Sequence, residues 1–285
     1  MQQAGKLFLC ATPIGNLDDM TLRLMKTLEQ VAVVAAEDTR HTRKLLSHIN
    51  VAKKLISYNE HNKEKVGSQI IELLKAGNDV ALVSDAGYPA IADPGEQLVA
   101  LAIEEKIKIV PVPGANAALS ALVASGLPTA TFFFVGFLPK TKKNRQAKLE
   151  LWKNITSSIV LYEAPHRIKD VLKELNKAWG NRQVCLAREL TKLYEEFFRG
   201  SVQECLQWLE EKPPRGEFTI VIAGADEQTI ELTEKEKIPA LARLKMLIEQ
   251  GQDKKSSLKQ VAVEYNMAKR ELYKQLLDSE EQSID

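Results

Sequence analysis

The sequence predicts an α/β protein with two sheet-containing domains and a small C-terminal domain of helices. The chain has 285 residues, and at roughly 150 residues per domain this length suggests about two domains with an appendage. Short apolar runs alternate with segments of helical spacing, which is typical of α/β units on a largely parallel sheet. A charge-rich stretch at 226–237 separates this alternation from a helical tail. We therefore expect domains at 1–114, 115–226 and 227–285.

Five strands are predicted in the first domain, beginning with the apolar run at residues 6–11. This run predicts a buried strand because it stops at Pro13, where a turn is favoured. Asp18, Asp19 and Thr21 can cap the helix that follows, in which leucine and methionine recur at helical spacing. The other predicted strands of this domain lie at 31–36, 55–58, 79–83 and 107–112, and the other predicted helices lie at 41–48, 63–76 and 96–105.

The second domain is predicted to begin with a buried helix and to continue with a second α/β series. Residues 115–125 are small and apolar, and the sequence Gly126-Leu127-Pro128 ends this helix. The predicted strands lie at 132–135, 158–162, 183–187 and 218–223, and the predicted helices lie at 167–178 and 201–210.

The tail is predicted to form helices at 238–249, 257–265 and 268–277. Leu258, Val261, Ala262 and Tyr265 recur at the spacing of one helix face. A short turn at 266–267 then makes the last two helices a helix-turn-helix pattern. Six basic residues lie between 254 and 274 against two acidic ones, so this pattern predicts either a nucleic-acid contact, through Lys269 and Arg270 among others, or a small bundle that packs or dimerises.

The composition excludes several classes of protein. With 45% hydrophobic and 27% charged residues, the chain can build a core and is not disordered throughout. Its 39 basic and 38 acidic residues nearly balance, which excludes a uniformly basic protein that coats nucleic acid. No apolar run is long enough to span a membrane, and no signal-peptide pattern is present. The scattered cysteines Cys10, Cys185 and Cys205 predict reduced thiols in the cytoplasm, and the absence of metal-ligand spacings predicts no metal site.

Unusual residues concentrate where the predicted strands end, at 12–19, 37–43, 84–95 and 111–116. In open α/β sheets, ligands bind at the carboxyl ends of the strands. The segment 84–95 is the most informative, because its two glycines, two prolines and small side chains would let the backbone approach a flat ligand. An ordinary strand-to-helix loop is the equally weighted alternative. Neither the dinucleotide-binding glycine pattern nor the GxxxxGK[ST] phosphate loop is present.

Two further segments combine charge with a strand end or a loop. Acidic residues at 37 and 38 suit a helix N-terminus. That explanation does not cover the four basic residues that follow, Arg40, His41, Arg43 and Lys44, so we interpret them as a phosphate contact surface. A second basic segment holds Lys140, Lys142, Lys143 and Arg145. It is interpreted as a solvated loop or as a contact for an RNA backbone.

Together these segments resemble the tetrapyrrole (class III) methylase superfamily. More closely, they resemble its branch that methylates the 2'-oxygen of a cytidine in 16S ribosomal RNA. The stretches that carry the resemblance, in chain order, are 11–19, 37–40, 84–95, 113–116, 162–167, 187–191 and 216–219. The resemblance implies a two-domain α/β fold, usually a homodimer, that binds S-adenosylmethionine between the domains. It implies as substrate a cytidine of the decoding centre within the small ribosomal subunit.

The resemblance also implies which residues contact the cofactor. They are Pro13, Asp85, Ala86, Gly87, Tyr88, Pro89, Ala90, Ile91, Ala92, Phe137, Leu138, Tyr162, Glu163, Ala187 and Thr219. A ribose hydroxyl needs a proton acceptor, and the candidates at strand ends are Glu37, Asp38 and Glu163. Lys192 or His61 could serve if their charge were suppressed. Two other functions stay open: methylation of a small macrocycle such as a corrinoid precursor, and a non-catalytic nucleic-acid-binding factor.

Overall fold

A computed structural model describes residues 3–226, 239–265 and 267–281. The chain divides into two compact units, Met1–Ala225 and Asp226–Asp285. Residues 227–238, which include most of the predicted linker, lie outside the described residues, as does residue 266 in the predicted turn. No helix among the described residues is long and apolar enough to cross a membrane.

The first sheet of the larger unit is entirely parallel. Its strands are β1 (Lys6–Cys10), β2 (Val33–Ala36), β3 (Lys54–Ser57), β4 (Val80–Val83) and β5 (Lys108–Val112), in the order β3-β2-β4-β1-β5. All residues of β2 and β4 are buried, as expected of central strands in a sheet that is covered on both faces. Because every strand runs the same way, the loops after β1, β2 and β4 meet at one edge.

Four helices cover the two faces of this sheet. They are α1 (Leu22–Gln30), α2 (Thr39–His48), α3 (Lys63–Lys75) and α4 (Glu96–Glu104). Leu24 and Leu28 of α1 pack with Cys10 and Val34 on one face. On the other face, Ile70 and Leu74 of α3 pack against the sheet together with residues of α4. The strands and helices predicted for this half are confirmed, with ends shifted by a few residues.

The second sheet is mixed. Its strands are β6 (Phe132–Phe137), β7 (Ser158–Glu163), β8 (Gln183–Arg188), β9 (Glu196–Ser201) and β10 (Phe218–Ile222), in the order β6-β7-β10-β8-β9. Only β6 and β7 pair in parallel, and the other pairs are antiparallel. Strand β9 was not predicted. The reason is that its sequence, EFFRGS, is polar at both ends and lies at the edge of the sheet.

Helices α5 (Ala117–Ala124), α6 (Lys142–Trp152), α7 (Ile168–Trp179) and α8 (Val202–Glu211) accompany the second sheet. Helix α5 packs on one face of this sheet, and Ile14 from the loop after β1 joins the same apolar cluster. This contact links the first half of the unit to the second. The predicted boundary near residue 114 falls between β5 and α5 and stays a prediction. The basic segment predicted as a loop is mostly helix, because α6 begins at Lys142.

The smaller unit contains α9 (Ala240–Glu249), α10 (Lys254–Glu264) and α11 (Lys269–Glu281). Its core is formed by Leu244, Leu247, Val261, Leu272 and Leu276. The Asp253 carboxylate caps α10 by accepting a hydrogen bond from the Ser256 amide at 2.9 Å. Thus the three predicted tail helices are confirmed, although α9 begins at Ala240 and α11 extends beyond the predicted end.

Candidate active site

A cavity of about 420 Å³ lies in the larger unit, where the loops of the first sheet meet the second sheet. This volume lies within the range of about 300–1,000 Å³ that is usual for small-molecule sites. The first sheet contributes Glu37 after β2 and most of the loop after β4. The second sheet contributes β6, β7, β8 and β10 through Phe137, Tyr162, Glu163, Ala187 and Thr219. Eleven of the fifteen residues implied for the cofactor therefore surround one cavity: the five just named and Asp85, Ala86, Gly87, Tyr88, Ile91 and Ala92.

The loop after β4, residues 84–95, is held in an unusual backbone conformation. Gly87, Ala90 and Ala92 have φ angles of 74°, 67° and 63°. Glycine adopts such angles freely, whereas for each of the two alanines they cost about 1–3 kcal/mol. A pair of backbone hydrogen bonds between Thr12 and Gly87, at 2.9 and 3.1 Å, ties this loop to the loop after β1. The loop thus presents fixed backbone atoms to the cavity.

Some residues implied for the cofactor do not line the cavity. Pro13 and Pro89 are buried, and Ala90 lies against Gly95. The side chain of Leu138 is only 2% exposed, because it belongs to the apolar core of the second sheet. The neighbouring Phe137 does line the cavity, and cofactor contacts by the other four residues stay a prediction.

The charged residues that line the cavity are all acidic. They are Glu37, Asp85, Asp93, Glu163 and Glu217, and no lysine, arginine or histidine occurs among the described lining residues. Burial, with the nearby Glu37 and Asp85, raises the pKa of Asp93 to about 7. Burial, followed by the charge of Asp85, also raises the pKa of Glu37. A cavity of this kind favours a cationic ligand and repels phosphate groups.

Glu163 lies at the end of β7 with a fully buried side chain. Its Oε1 atom accepts a hydrogen bond from the Ala164 amide at 2.8 Å and lies 3.3 Å from Nε of Arg167. Its Oε2 atom has no hydrogen-bond partner within the part of the chain that is described. Because an unpaired buried acceptor costs about 1–3 kcal/mol, this oxygen is well suited to accept a hydrogen bond from a ligand. Burial raises the pKa of this carboxyl group.

Asp38, predicted as a candidate base, has a different role. Its carboxylate caps α2 by accepting a hydrogen bond from the Arg40 amide at 2.8 Å, and it also binds the Arg40 guanidinium. The Arg40 hydrogen bonds hold the pKa of Asp38 well below its usual range. Asp38 does not line the cavity. A carboxylate held by Arg40 outside the cavity is poorly placed to accept a proton there, and the role of Asp38 as the base stays a prediction that this geometry disfavours.

The two alternative bases are also disfavoured. Lys192 Nζ lies 2.9 Å from carboxylate oxygens of both Glu189 and Glu217. Although burial acts in the opposite direction, these carboxylates raise the pKa of Lys192, so its charge is not suppressed. His61 is exposed and does not line the cavity.

The predicted RNA contacts divide into exposed and buried residues. Arg40, His41, Arg43 and Lys44 are exposed on α2, and Nδ1 of His41 lies 3.2 Å from Asp85, which borders the cavity. Lys140, Lys142 and Lys143 are exposed near the start of α6, and Lys269 and Arg270 are exposed at the start of α11 in the smaller unit. The role of these nine residues stays a prediction.

Arg145 is the exception among these residues. It is 8% exposed, and its Nε and Nη2 atoms donate hydrogen bonds to the two carboxylate oxygens of Glu174, each at 2.7 Å. Its Nη1 atom donates to the carbonyls of Pro139 and Lys140 at 3.2 Å. With its guanidinium occupied in this way, Arg145 stabilises the start of α6 and is not free to bind phosphate. This geometry disfavours the predicted RNA contact of Arg145, which stays a prediction.

Several lining residues were absent from the predicted site. They include Ile14, Asp93, Asn116, Ala117, Leu190, Glu217 and Phe218. Asp93 belongs to the segment 84–95 that the sequence marked as unusual, and an acidic residue before Pro94-Gly95 was the available signal.

Asp38, His41 and Asp85 place one possible metal-ligand atom each within 4.8 Å of the others. Because the Asp38 carboxylate already binds Arg40, the expectation of no metal site is kept as a prediction.

Comparison with known proteins supports the resemblance noted in the sequence. A family model described as Tetrapyrrole (Corrin/Porphyrin) Methylases matches residues 6–206. The chain belongs to the tetrapyrrole methylase family. Two relatives of this methylase are named Ribosomal RNA small subunit methyltransferase I. The one from Halalkalibacterium halodurans is 48% identical and the one from Bacillus subtilis is 45% identical, both over 271 residues that cover 94% of this chain and 93% of the relative.

Solved structures show that the methylase has the predicted fold. The cobalt precorrin-4 methyltransferase CbiF aligns with a TM-score of 0.58 at 20% identity, over 76% of this chain and 94% of CbiF. Uroporphyrin-III C-methyltransferase from Thermus thermophilus, in complex with S-adenyl homocysteine, aligns with a TM-score of 0.54 at 17% identity, over 76% of the methylase and 97% of that protein. At these identities the likeness concerns the fold alone.

Proposed function

We propose that this methylase transfers a methyl group from S-adenosylmethionine to the ribose 2'-oxygen of a cytidine in 16S ribosomal RNA. The observation that carries the proposal is the 48% and 45% identity, across 94% of the chain, to relatives named for methylation of small-subunit ribosomal RNA. The cytidine, its 2'-oxygen and its place in the decoding centre rest on the resemblance of the sequence motifs. We propose the assembled small subunit, in the cytoplasm, as the substrate.

The chemistry of the cavity fits S-adenosylmethionine. This cofactor carries a positively charged sulfonium, and the lining of the cavity is acidic. Small residues of the loop 84–95 allow its backbone to approach a flat ligand such as adenine or ribose. The unpartnered Oε2 of Glu163 offers an acceptor for a ligand hydroxyl or amino group. Together these features support a cationic nucleoside as the occupant.

The residues proposed to hold the cofactor are the lining part of loop 84–95 with Tyr162, Glu163, Ala187 and Thr219. When bound, the cofactor supplies a methyl group on an electron-deficient sulfur. The contribution of the protein is then mainly alignment of the acceptor oxygen with that methyl group, and such positioning can supply about 7–11 kcal/mol. The conformation that Thr12 fixes for the loop after β4 provides the rigid frame for this alignment.

The hydroxyl that attacks must lose a proton. Asp93, with Glu37 beside it, is the proposed acceptor, because a general base works best when its pKa lies near the operating pH. Burial and the neighbouring carboxylates raise the pKa of Asp93 to about 7. Glu163 stays a second candidate, since it is buried at the same cavity. In either case the proton passes to a carboxylate oxygen.

Phosphates of the RNA are proposed to bind outside the acidic cavity, on exposed basic residues. On the larger unit these are Arg40, His41, Arg43, Lys44, Lys140, Lys142 and Lys143, and on the smaller unit they are Lys269 and Arg270. Each neutralised phosphate adds affinity that weakens as salt increases. A small macrocycle would not need this basic surface, which favours RNA over the corrinoid alternative.

A homodimer is also proposed. Several large apolar side chains of the larger unit are exposed, among them Leu119 and Val123 of α5 and the consecutive residues Leu193 and Tyr194. Such side chains favour a protein contact when they form a patch. Light scattering checks this point: a mass of one chain in solution would rule the dimer out.

Purified protein incubated with labelled S-adenosylmethionine tests the proposal. One reaction contains small ribosomal subunits from cells that lack this protein, and a parallel reaction contains uroporphyrinogen or a corrinoid precursor. We expect label in RNA, and digestion should yield 2'-O-methylcytidine. Label in the macrocycle alone would establish the small-molecule alternative. Calorimetry with S-adenosylmethionine that gave no heat would favour the non-catalytic alternative.

A further inference from the structure

Phe137 is a large aromatic side chain that the fold leaves at the mouth of the cavity. It lines the cavity and is 56% exposed, more than Ile91 at 40%, the other large exposed apolar side chain among the described lining residues. The pairing of β6 with β7 shifts register between Phe134 and Gly136, and Gly136 has a φ angle of 69°. A β-bulge of this kind redirects the following side chain. The strand therefore presents Phe137 to the cavity, where more than half of its surface is exposed.

The ring of Phe137 is supported on one side. Its centroid lies 5.6 Å from that of Tyr162 at an interplanar angle of 60°, and Tyr162 in turn packs edge-on against Phe134 at 5.2 Å. Tilted and edge-to-face contacts at these distances are favourable for aromatic pairs. The support fixes the position of the ring while much of its surface remains accessible. A rigid, accessible ring of this kind is suited to stacking on a flat partner.

We infer that Phe137 is the stacking platform for the base of the nucleotide that is methylated. The inference rests on the proposed function. To bring its ribose to the cavity, the target nucleotide must leave the stack of its neighbours, and proteins that handle such nucleotides replace the lost stacking with aromatic side chains. Because the lining carboxylates exclude phosphates, the base and sugar are the parts of RNA that can enter beside Phe137. In this inference, Phe137 binds the substrate base in place of the cofactor contact that the resemblance implies for it.

Phe132 provides a matched control. It lies at the opposite end of the same strand, is also exposed at 42% and does not line the cavity. The variants Phe137→Ala, Phe137→Trp and Phe132→Ala are compared with the wild type in three measurements. These are kcat/KM for methylation of small subunits, the calorimetric Kd for S-adenosylmethionine, and the melting temperature.

Loss of one stacking partner reduces affinity by about 5- to 150-fold, so we expect Phe137→Ala to lower kcat/KM for subunits by that range. Its Kd for S-adenosylmethionine should stay within about twofold, and Phe137→Trp and Phe132→Ala should remain close to the wild type. Three results would overturn the inference: unchanged kcat/KM in Phe137→Ala, an equal loss of cofactor affinity, or an equal defect in Phe132→Ala. A wild type that cannot methylate subunits would instead refute the proposed function, and this inference with it.

Discussion

Replacement of Arg145 by alanine separates a structural role for this residue from a role in RNA binding. The side chains of Arg145 and Glu174 are 9% and 14% exposed and share two hydrogen bonds of 2.7 Å. Removing one partner of a buried ion pair leaves the other charge uncompensated and costs about 3–5 kcal/mol. We expect Arg145→Ala to lose that much free energy of unfolding. The exposed neighbour Lys143 is the matched control, and Lys143→Ala should change stability by less than about 0.5 kcal/mol.

Urea unfolding followed by tryptophan fluorescence is the appropriate assay. The three tryptophans of the chain, Trp152, Trp179 and Trp208, all pack against the core that α6 and α7 share with the second sheet. The double variant Arg145→Met with Glu174→Met should recover most of the loss, since an apolar pair can replace a buried ion pair. Arg145→Ala with wild-type stability and weakened binding of subunits would refute the structural role.

The same pair predicts a dependence on pH. The Arg145 hydrogen bond lowers the pKa of Glu174 in the folded protein. A carboxyl group with a lowered folded-state pKa stabilises the fold above its unfolded-state pKa, and the stabilisation is lost as the pH falls through the folded-state pKa. The difference in stability between wild type and Arg145→Ala should therefore shrink in acid.

Three other predictions concern the cavity and the exposed basic residues. If Asp93 accepts the proton, kcat/KM for methylation should rise with pH up to about 7 and then level off. The variant Asp93→Asn should lose most of its activity. An unchanged pH profile in that variant would exclude this role for Asp93. Calorimetry should show that Asp85→Ala no longer binds S-adenosylmethionine. Arg40→Ala should still bind the cofactor but lose RNA methylation. Equal loss of cofactor binding and RNA methylation in Arg40→Ala would contradict these separate roles. Charge reversal of Lys269 and Arg270 should weaken binding of subunits and reduce its salt dependence, and an unaltered salt dependence would exclude phosphate contacts there.

Local sequence pattern predicted those parts of the fold that depend on local interactions. Strands β2 and β4 are buried on both faces, so every residue in them is apolar and the whole run is recognisable in the sequence. Strand β9 carries little of this signal, because it pairs on one side only and begins and ends with polar residues. Its place in the sheet is decided by pairing with β8, which a short sequence window does not contain.

The site was predicted as a set of segments more successfully than as a set of side chains. The segment 84–95 does border the cavity, but which of its residues face inward depends on the positive φ angles of Ala90 and Ala92. Arg145 looked like its basic neighbours because the residue that buries its charge, Glu174, follows 29 positions later. Asp38 was predicted as a candidate base because the sequence alone does not show its hydrogen bonds to Arg40, which arise only when helix α2 forms.

Mass spectrometry of small-subunit RNA tests the central claim most directly. RNA is taken from cells that lack this protein and from the same cells after its return in wild-type or Asp85→Ala form. The account predicts that one 2'-O-methylcytidine disappears without the protein and returns with the wild type alone. An identical methylation map in all of these cells would contradict it.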